Sequence, residues 1–425
     1  MKKQNRVLII GGGASGLFAA ITAAEHGALV TVLEREKKAG RKILKTGNGK
    51  CNFTNIGNPA HAYHGTDRVF AKKVLTGFTP QDTIKRFTEY GIFTTNRNDW
   101  IYPRSETAES VLTTLMWRAS ELHVKVKCNE EVRKIEKKDN VFIVRTGTWH
   151  YEADKVILAC GSAASLTDKQ LPYKSYELAV MMGHSVVNPL PALVPLKVRN
   201  SNSLRWGGVR IGARVSLYAE DIYIADEEGQ IQLTDSGISG IPVFAVSGQA
   251  LRLLEGGLRV SAVLDFLPEF STEGLAGFLY SRKKMHPERG MGDLLVGLLP
   301  ERLIFSITDR VKSEIERAVL SEDIDDDHGN DQTGITDRNE IRMLAEVIKE
   351  FKTEITGSAG FANAQCVTGG ISTDEVDPSS CESKKTGGLY LTGEMLGIDG
   401  ACGGWNLQFA WSTGYLAGMH AAEAL

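Results

Sequence analysis

The chain has a glycine-rich turn near its start, and the spacing of its residues is typical of a binding site. The run Gly11-Gly12-Gly13-Ala14-Ser15-Gly16 follows the apolar segment Val7-Leu8-Ile9-Ile10 and precedes a segment with apolar residues at helical spacing. In such a strand–turn–helix unit, the first glycine permits the tight turn, the second lets the backbone approach a pyrophosphate, and the third lets the helix pack on the strand. The free N–H groups and the helix dipole attract the anion. Gly11, Gly13 and Gly16 therefore predict a dinucleotide site.

An acidic residue stands where such a site needs one. A second apolar strand over residues 28–33 ends at Glu34, roughly 20 residues after the turn, where a carboxylate can accept hydrogen bonds from ribose hydroxyls. NAD and FAD both use this arrangement, and two features favour FAD. A second glycine-rich strand-to-helix turn over residues 389–406 offers a contact for the ribityl chain and ring. No second complete fingerprint occurs, because residues 161–165 and 237–240 match only part of the pattern.

Other elements follow from hydrophobic periodicity. Helices are predicted over residues 15–26, 81–90, 107–121, 276–320 and 406–423. Strands are predicted over residues 6–10, 124–127 and 141–145 (the last two in a hairpin-like meander), 155–159 and 389–392. From about residue 190, prolines and short alternating runs indicate a small β-rich domain. The prediction is a discontinuous plan, with an FAD-binding domain over residues 1–190 and 360–425. Within it lie an inserted β-rich substrate domain over residues 191–275 and a mainly helical part over residues 276–359.

Composition argues against several classes of partner. The net charge of −3 gives no electrostatic case for nucleic acid or for an anionic membrane surface. No segment approaches the roughly 18 uninterrupted apolar residues of a membrane span, so a cytoplasmic protein is expected. The six cysteines form no CxxC pair and the nine histidines show no metal spacing, so no metal site is expected. The acidic run over residues 321–330 is expected to be a solvated loop rather than a calcium loop.

Beyond these patterns, three segments resemble the signatures of a bacterial flavoprotein family of HI0933-like type. The first is Gly40-Arg41-Lys42-Ile43-Leu44 with Gly49-Lys50-Cys51-Asn52-Phe53-Thr54-Asn55. The second is Val367-Thr368-Gly369-Gly370-Ile371, and the third runs from Gly388 to Gln408. The similarity extends from end to end. It implies an α/β fold with a discontinuous FAD-binding Rossmann domain of glutathione-reductase type, an inserted β-rich domain and a small helical part.

The resemblance also implies roles for individual residues. Ala14 and Ser15 would contact the pyrophosphate and Glu34 the ribose, while Val132 would offer its backbone to the adenine. The remaining expected cofactor-binding residues, including neighbours of these motifs, are Arg35, Arg41, Lys42, Cys51, Asn52, Gly161, Gly393, Glu394, Asn406 and Leu407. No catalytic residue is predicted. Relatives have Thr-His before a Gly-x-Ser-Gly stretch, whereas this chain has Thr234-Asp235. Because the chain lacks that histidine, any proton-transfer role that it has in relatives is in doubt here.

The function implied is that of an FAD-dependent oxidoreductase. Members of the family are described as 3-dehydro-bile acid Δ4,6-reductases or as aminoacetone oxidases. The favoured hypothesis is NAD(P)H-dependent reduction of an activated C=C bond, as in a 3-oxo-4-ene steroid or bile acid-like enone, by hydride transfer from flavin N5. One alternative is an amine oxidase acting on a small aminoketone. Another is a non-catalytic flavin-binding or RNA-associated protein. The expected partner is a small-molecule substrate, without nucleic acid or membrane, and the oligomeric state is left open.

Overall fold

The computed structural model describes residues 4–65, 68–164, 173–320 and 332–423. The chain divides into two compact units, one formed by Met1–Ala192 with Ala364–Leu425 and the other by Leu193–Asn363. The acidic run over residues 321–330 lies outside the described residues. Among the described residues, none of the helices combines the length and the apolar composition needed to span a bilayer.

The first unit is built on a five-stranded parallel sheet. The strands, in spatial order, are Leu389–Leu391, Lys155–Leu158, Arg6–Ile10, Leu29–Glu34 and Lys125–Cys128. The central strand is almost wholly apolar and buried, as expected for a strand covered on both faces. Because all five strands run in the same direction, their carboxyl ends meet at one edge of the sheet.

Two helices from distant parts of the sequence pack against each other on this sheet. They are the first helix, Ala14–Glu25, and the last helix, Trp405–Ala422. A Cβ built on Gly414 would lie 2.6 Å from the carbonyl oxygen of Ser15, and one built on Gly418 would lie 2.5 Å from that of Ala19. The two backbones can approach this closely only because glycine stands at both positions.

Smaller elements complete the first unit. Its other helices of four or more residues are Ile43–Gly49 (3-10), Arg68–Gly77, Pro80–Glu89, Ala108–Glu121 and Glu177–Met181. Its other strands are Thr54–Asn55, Tyr63–Gly65, Thr94–Arg97, Trp100–Pro103, Val132–Lys138, Val141–Thr146, His150–Ala153, Val186–Ala192, Cys366–Ile371 and Ile398–Gly400.

One predicted pairing is wrong. The strand predicted over residues 124–127 is Lys125–Cys128, and it joins the parallel sheet beside Leu29–Glu34 instead of the meander. The strand predicted over residues 141–145 pairs with Val132–Lys138 and His150–Ala153 in a separate antiparallel sheet. The hydrophobic pattern locates a strand but carries no information on its partner, which depends on distant segments.

The second unit is a closed antiparallel barrel with helices. Its strands, in barrel order, are Leu196–Val198, Gly237–Gly240, Ile222–Thr234, Arg210–Ala219, Val260–Asp265 and Phe351–Ser358. Its helices are Ser201–Leu204, Ile241–Glu255, Thr272–Met285, Met291–Leu295, Glu301–Leu320 and Gln332–Lys349. The segment 237–240, which partly matches the dinucleotide pattern, is a barrel strand. The predicted α/β class with a β-rich insertion is confirmed.

Candidate dinucleotide-binding cleft

A cavity of about 360 Å³ lies at the carboxyl edge of the parallel sheet and is lined entirely by residues of the first unit. Its walls come from the segments that follow each strand: 11–15, 34–36, 130–132, 159–162 and 394. The loop 40–46 and the start of the last helix complete them. In open parallel α/β sheets, ligands bind outside the carboxyl ends of the strands. The cleft is therefore the candidate functional site.

The glycines of the turn face different surroundings. Gly11 has φ +107°, and a Cβ built there would lie 2.2 Å from the carbonyl oxygen of Ala159. A Cβ on Gly16 would lie 1.9 Å from the carbonyl oxygen of Gly11. A Cβ on Gly13 would meet no atom of the described residues within 4 Å. Gly11 and Gly16 are thus required by the protein's own packing, whereas the space beside Gly13 is free for a ligand.

The first helix begins at this turn without a cap of its own. No side chain caps its N-terminus and its first turn holds no acidic residue. The first N–H groups of a helix need partners, and an anion is a favoured one. The turn, its open side at Gly13 and the uncapped helix together fit a pyrophosphate, with Ala14 and Ser15 lining the cleft beside it.

Glu34 is held at the end of its strand by two backbone donors. Its Oε2 accepts a hydrogen bond from the Gly12 N–H at 2.7 Å, and its Oε1 accepts one from the Glu36 N–H at 2.9 Å. An ionised carboxylate has about four lone-pair sites, so two remain for ribose hydroxyls. Glu34 is nearly buried and lines the cleft.

Other predicted residues line the cleft on this side. Val132 does so, and the side chains of Arg35 and Arg41 both pair with Glu36.

Glu130, which the sequence analysis missed, also lines the cleft here. Its N–H donates to the carbonyl oxygen of Glu34, and its buried Oε2 has no hydrogen-bond partner among the described residues. Its position just before Val132, at the end of a sheet strand, is the signal that could have found it.

The opposite end of the cleft contains predicted residues from three segments. Lys42 forms an ion pair with Glu394, which follows the strand Leu389–Leu391, and Gly161 follows the neighbouring strand. Leu407 lines the cleft through the start of the last helix. The amide of Asn406 both donates to the carbonyl oxygen and accepts from the N–H of Gly400, each at 2.7 Å. These bonds occupy that side chain within the protein.

Four predicted residues do not line the cleft: Gly16, Cys51, Asn52 and Gly393. Gly393 packs behind the turn, where a Cβ would lie 2.6 Å from Ser15 Oγ. Cys51 is fully buried in an apolar cluster, and burial raises the pKa of its thiol to about 12. Asn52 is buried near Gly404, and neither polar atom of its amide has a hydrogen-bond partner within the described ranges. Lys45, Thr46 and Gln365 are further lining residues that the sequence analysis did not find.

Comparison with known proteins agrees with this geometry. The Rossmann fold and its cleft, together with the chain's similarity to a family of Rossmann-domain proteins and to a reductase, define an FAD-dependent oxidoreductase. A family model described as the HI0933-like protein Rossmann domain matches residues 5–420, and the chain belongs to this family.

Two of the relatives that match over nearly their whole length are as follows. The chain is 38% identical over 424 residues to a 3-dehydro-bile acid delta(4,6)-reductase of Clostridium scindens, covering 99% of this chain and 100% of the relative. It is 28% identical over 431 residues to a ribosomal RNA dihydrouridine synthase of Haemophilus influenzae, covering 99% of each.

Solved structures are more distant. A flavocytochrome c3 fumarate reductase aligns with TM-score 0.47 and 16% identity, covering 98% of this chain and 78% of that one. A 3-ketosteroid-delta4-(5alpha)-dehydrogenase from Rhodococcus jostii RHA1 aligns with TM-score 0.47 and 13% identity over 100% of both chains. Neither similarity carries an argument about function.

Proposed function

We propose that this oxidoreductase reduces an activated C=C bond of a small 3-oxo-4-ene steroid or bile acid-like enone with electrons from NAD(P)H. The observation that carries this proposal is the 38% identity, over full length, to a protein named as a 3-dehydro-bile acid delta(4,6)-reductase. The cleft supports the proposal because it lies at the edge of the sheet where a dinucleotide can bind. FAD, when bound, supplies hydride chemistry suited to the β-carbon of an enone.

The chain's own residues would bind and orient the reactants. The uncapped helix at Gly13 would hold the pyrophosphate, and the fixed carboxylate of Glu34 would hold the ribose. Lys42 and Glu394 place charge at the far end of the cleft.

Anaerobic stopped-flow absorbance tests the proposal. The purified FAD-loaded protein is mixed first with NADH or NADPH and then with a 3-oxo-4-ene steroid. We expect bleaching of the flavin in the first step and recovery of its colour in the second. A saturated 3-oxo steroid is the matched control and should leave the reduced flavin unchanged. Bleaching by aminoacetone without bleaching by NAD(P)H would replace the proposal with the amine oxidase alternative.

A second candidate is reduction of uracil in RNA, favoured by two relatives named as ribosomal RNA dihydrouridine synthases. They are 28% and 26% identical over 99% and 96% of this chain. The bond reduced would again be a C=C conjugated to a carbonyl. The net charge of −3 counts against it, since RNA binding relies on cationic contacts to phosphate. Incubating the reduced protein with unmodified ribosomal RNA and quantifying dihydrouridine by mass spectrometry distinguishes the two substrates.

A further inference from the structure

An ion pair spans the end of the cleft farthest from Glu34. Lys42 Nζ lies against Glu394 Oε2, with the two side chains 40% and 18% exposed. The other oxygen of Glu394 is buried and has no hydrogen-bond partner in the part of the chain that the structure describes. Both residues line the cleft. The lysine thus presents its ammonium group to the cavity while one carboxylate oxygen holds it.

The order of the strands shows which half of a dinucleotide lies at this end. Glu34 and Glu130 follow the two strands on one side of the central strand, and Glu394 follows the outermost strand on the other side. The pyrophosphate turn lies between them. With the ribose at Glu34, the other half of the cofactor, which carries the reactive ring, would extend toward Glu394 and Lys42.

The backbone around Lys42 is fixed on both sides. The Gly40 N–H donates to the carbonyl oxygen of Gly12 at 2.8 Å, which ties this loop to the turn. Gly40 has φ +75°, and a Cβ there would lie 2.2 Å from the Leu112 side chain. Ile43 is fully buried in the apolar cluster beneath. Lys42 therefore projects from a short segment that has little freedom to move.

Reduction of a conjugated C=C bond requires a proton at the α-carbon after hydride reaches the β-carbon. Glu394 is an acceptor, since its carboxylate is paired with the ammonium group. The nearby Tyr176 hydroxyl is buried, and burial, followed by the charge of Glu394, raises its pKa. Lys42 carries transferable protons and is exposed to the cleft.

We propose that Lys42 is the proton donor of the reduction and that Glu394 is its positioning residue, an inference that rests on the proposed function. The Nζ–H bond of Lys42 breaks, and the enolate electron pair forms a C–H bond at the α-carbon. The neutral amine that remains takes a proton from water through its exposed side. The two electrons come from NAD(P)H, so atoms and charge balance.

Lys42→Arg is the decisive variant. The guanidinium keeps the positive charge and can pair with Glu394, but it does not deprotonate in proteins. Lys50→Arg is the matched control, because Lys50 belongs to the same loop and pairs with Glu106 at 3.2 Å but does not line the cleft. For each protein, FAD affinity is measured by fluorescence titration. Flavin bleaching by NAD(P)H and reoxidation by the enone are then followed as separate anaerobic steps.

We expect Lys42→Arg to bind FAD within about threefold of wild type, because the charge is retained, and to be bleached normally. Its reoxidation by enone should slow by about 10²–10⁴-fold, the usual contribution of a general acid. Lys42→Ala should regain part of that rate with added primary amines, whereas a purely structural role would give no such rescue. Lys50→Arg should match wild type.

The outcomes separate the two proposals. Reoxidation of Lys42→Arg within threefold of wild type would overturn the assignment of Lys42 while leaving the proposed function intact. Failure of every amine to rescue Lys42→Ala would also overturn the assignment of Lys42 and leave the proposed function intact. If wild-type reduced protein transfers electrons to no enone, the proposed function itself fails and this inference fails with it.

Discussion

Two alanine substitutions in the glycine turn, Gly13→Ala and Gly16→Ala, should separate the effect on cofactor binding from the effect on folding. Among the residues that the structure describes, nothing lies within 4 Å of a Cβ on Gly13, so the fold can accommodate it. Its cost is that of alanine replacing glycine at a helix N-cap, within about 1 kcal/mol. A Cβ on Gly16 would lie 1.9 Å from the carbonyl oxygen of Gly11, a backbone atom that cannot rotate away. Such overpacking costs about 3 kcal/mol or more.

The same geometry sets the effect on FAD. The methyl group of Gly13→Ala would occupy the space assigned to the pyrophosphate, and losing one charge-assisted hydrogen bond there costs about 1.5–3 kcal/mol. The dissociation constant should rise about 10- to 150-fold. For Gly16→Ala, the melting temperature of the apo-protein should fall by about 6–12 °C, at roughly 2–4 °C per kcal/mol.

Circular dichroism melting of the apo-proteins and fluorescence titration with FAD give the two readouts. Gly13→Ala should keep its melting temperature within a few degrees and lose affinity, and Gly16→Ala should lose melting temperature. If Gly13→Ala is folded and binds FAD within about twofold of wild type, the pyrophosphate does not lie at this turn and the reasoning is refuted.

Three further predictions concern stability and reactivity. Gly418→Ala should lower the melting temperature because its Cβ would lie 2.5 Å from the Ala19 carbonyl oxygen. Gly277→Ala is the control in a helix with open space around that position, and it should stabilise the protein by up to about 1 kcal/mol. Burial lowers the pKa of His184 below its ordinary 6.5, because the buried site favours the neutral imidazole. The contribution of this residue to the stability of the folded protein is therefore fully present above pH 6.5 and declines as the pH falls toward the pKa of the folded state. Between pH 7.5 and pH 5.5 the melting temperature should therefore fall more for wild type than for His184→Gln. An equal fall of the melting temperature in both proteins would contradict this. Cys51, buried with its pKa raised to about 12, should resist iodoacetamide at pH 8 until the protein unfolds, as peptide mass spectrometry would show.

Local patterns predicted the nucleotide half of the fold well because its determinants are local. The first helix, predicted over residues 15–26, is Ala14–Glu25, and the last, predicted over residues 406–423, is Trp405–Ala422. Both begin at glycine turns, and most of their residues are buried. Glu34 could be placed at the cleft because strand and turn lengths in a βαβ unit are nearly constant.

What could not be predicted depends on contacts between distant segments. The ion pair of Lys42 with Glu394 joins residues that are 352 positions apart. No spacing rule connects them. The strand Lys125–Cys128 pairs within the parallel sheet and not with the strands that follow it in sequence. The closure of the barrel depends on the pairing of Leu196–Val198 with Phe351–Ser358. Such choices are decided by burial in the whole unit, which the local pattern does not encode.

The packing of the last helix on the first has a consequence for synthesis on the ribosome. Residues 193–363, which form the second unit, are made between the two segments of the first unit. At about 5–20 residues per second, they delay its completion by roughly 10–30 s. Until Leu389–Leu391 emerges, the strand Lys155–Leu158 has an unpaired edge, and such edges invite pairing with other chains. A nascent chain that stalls in the insertion would therefore be prone to aggregation, and it would lack Glu394 and the last helix at the far end of the cleft.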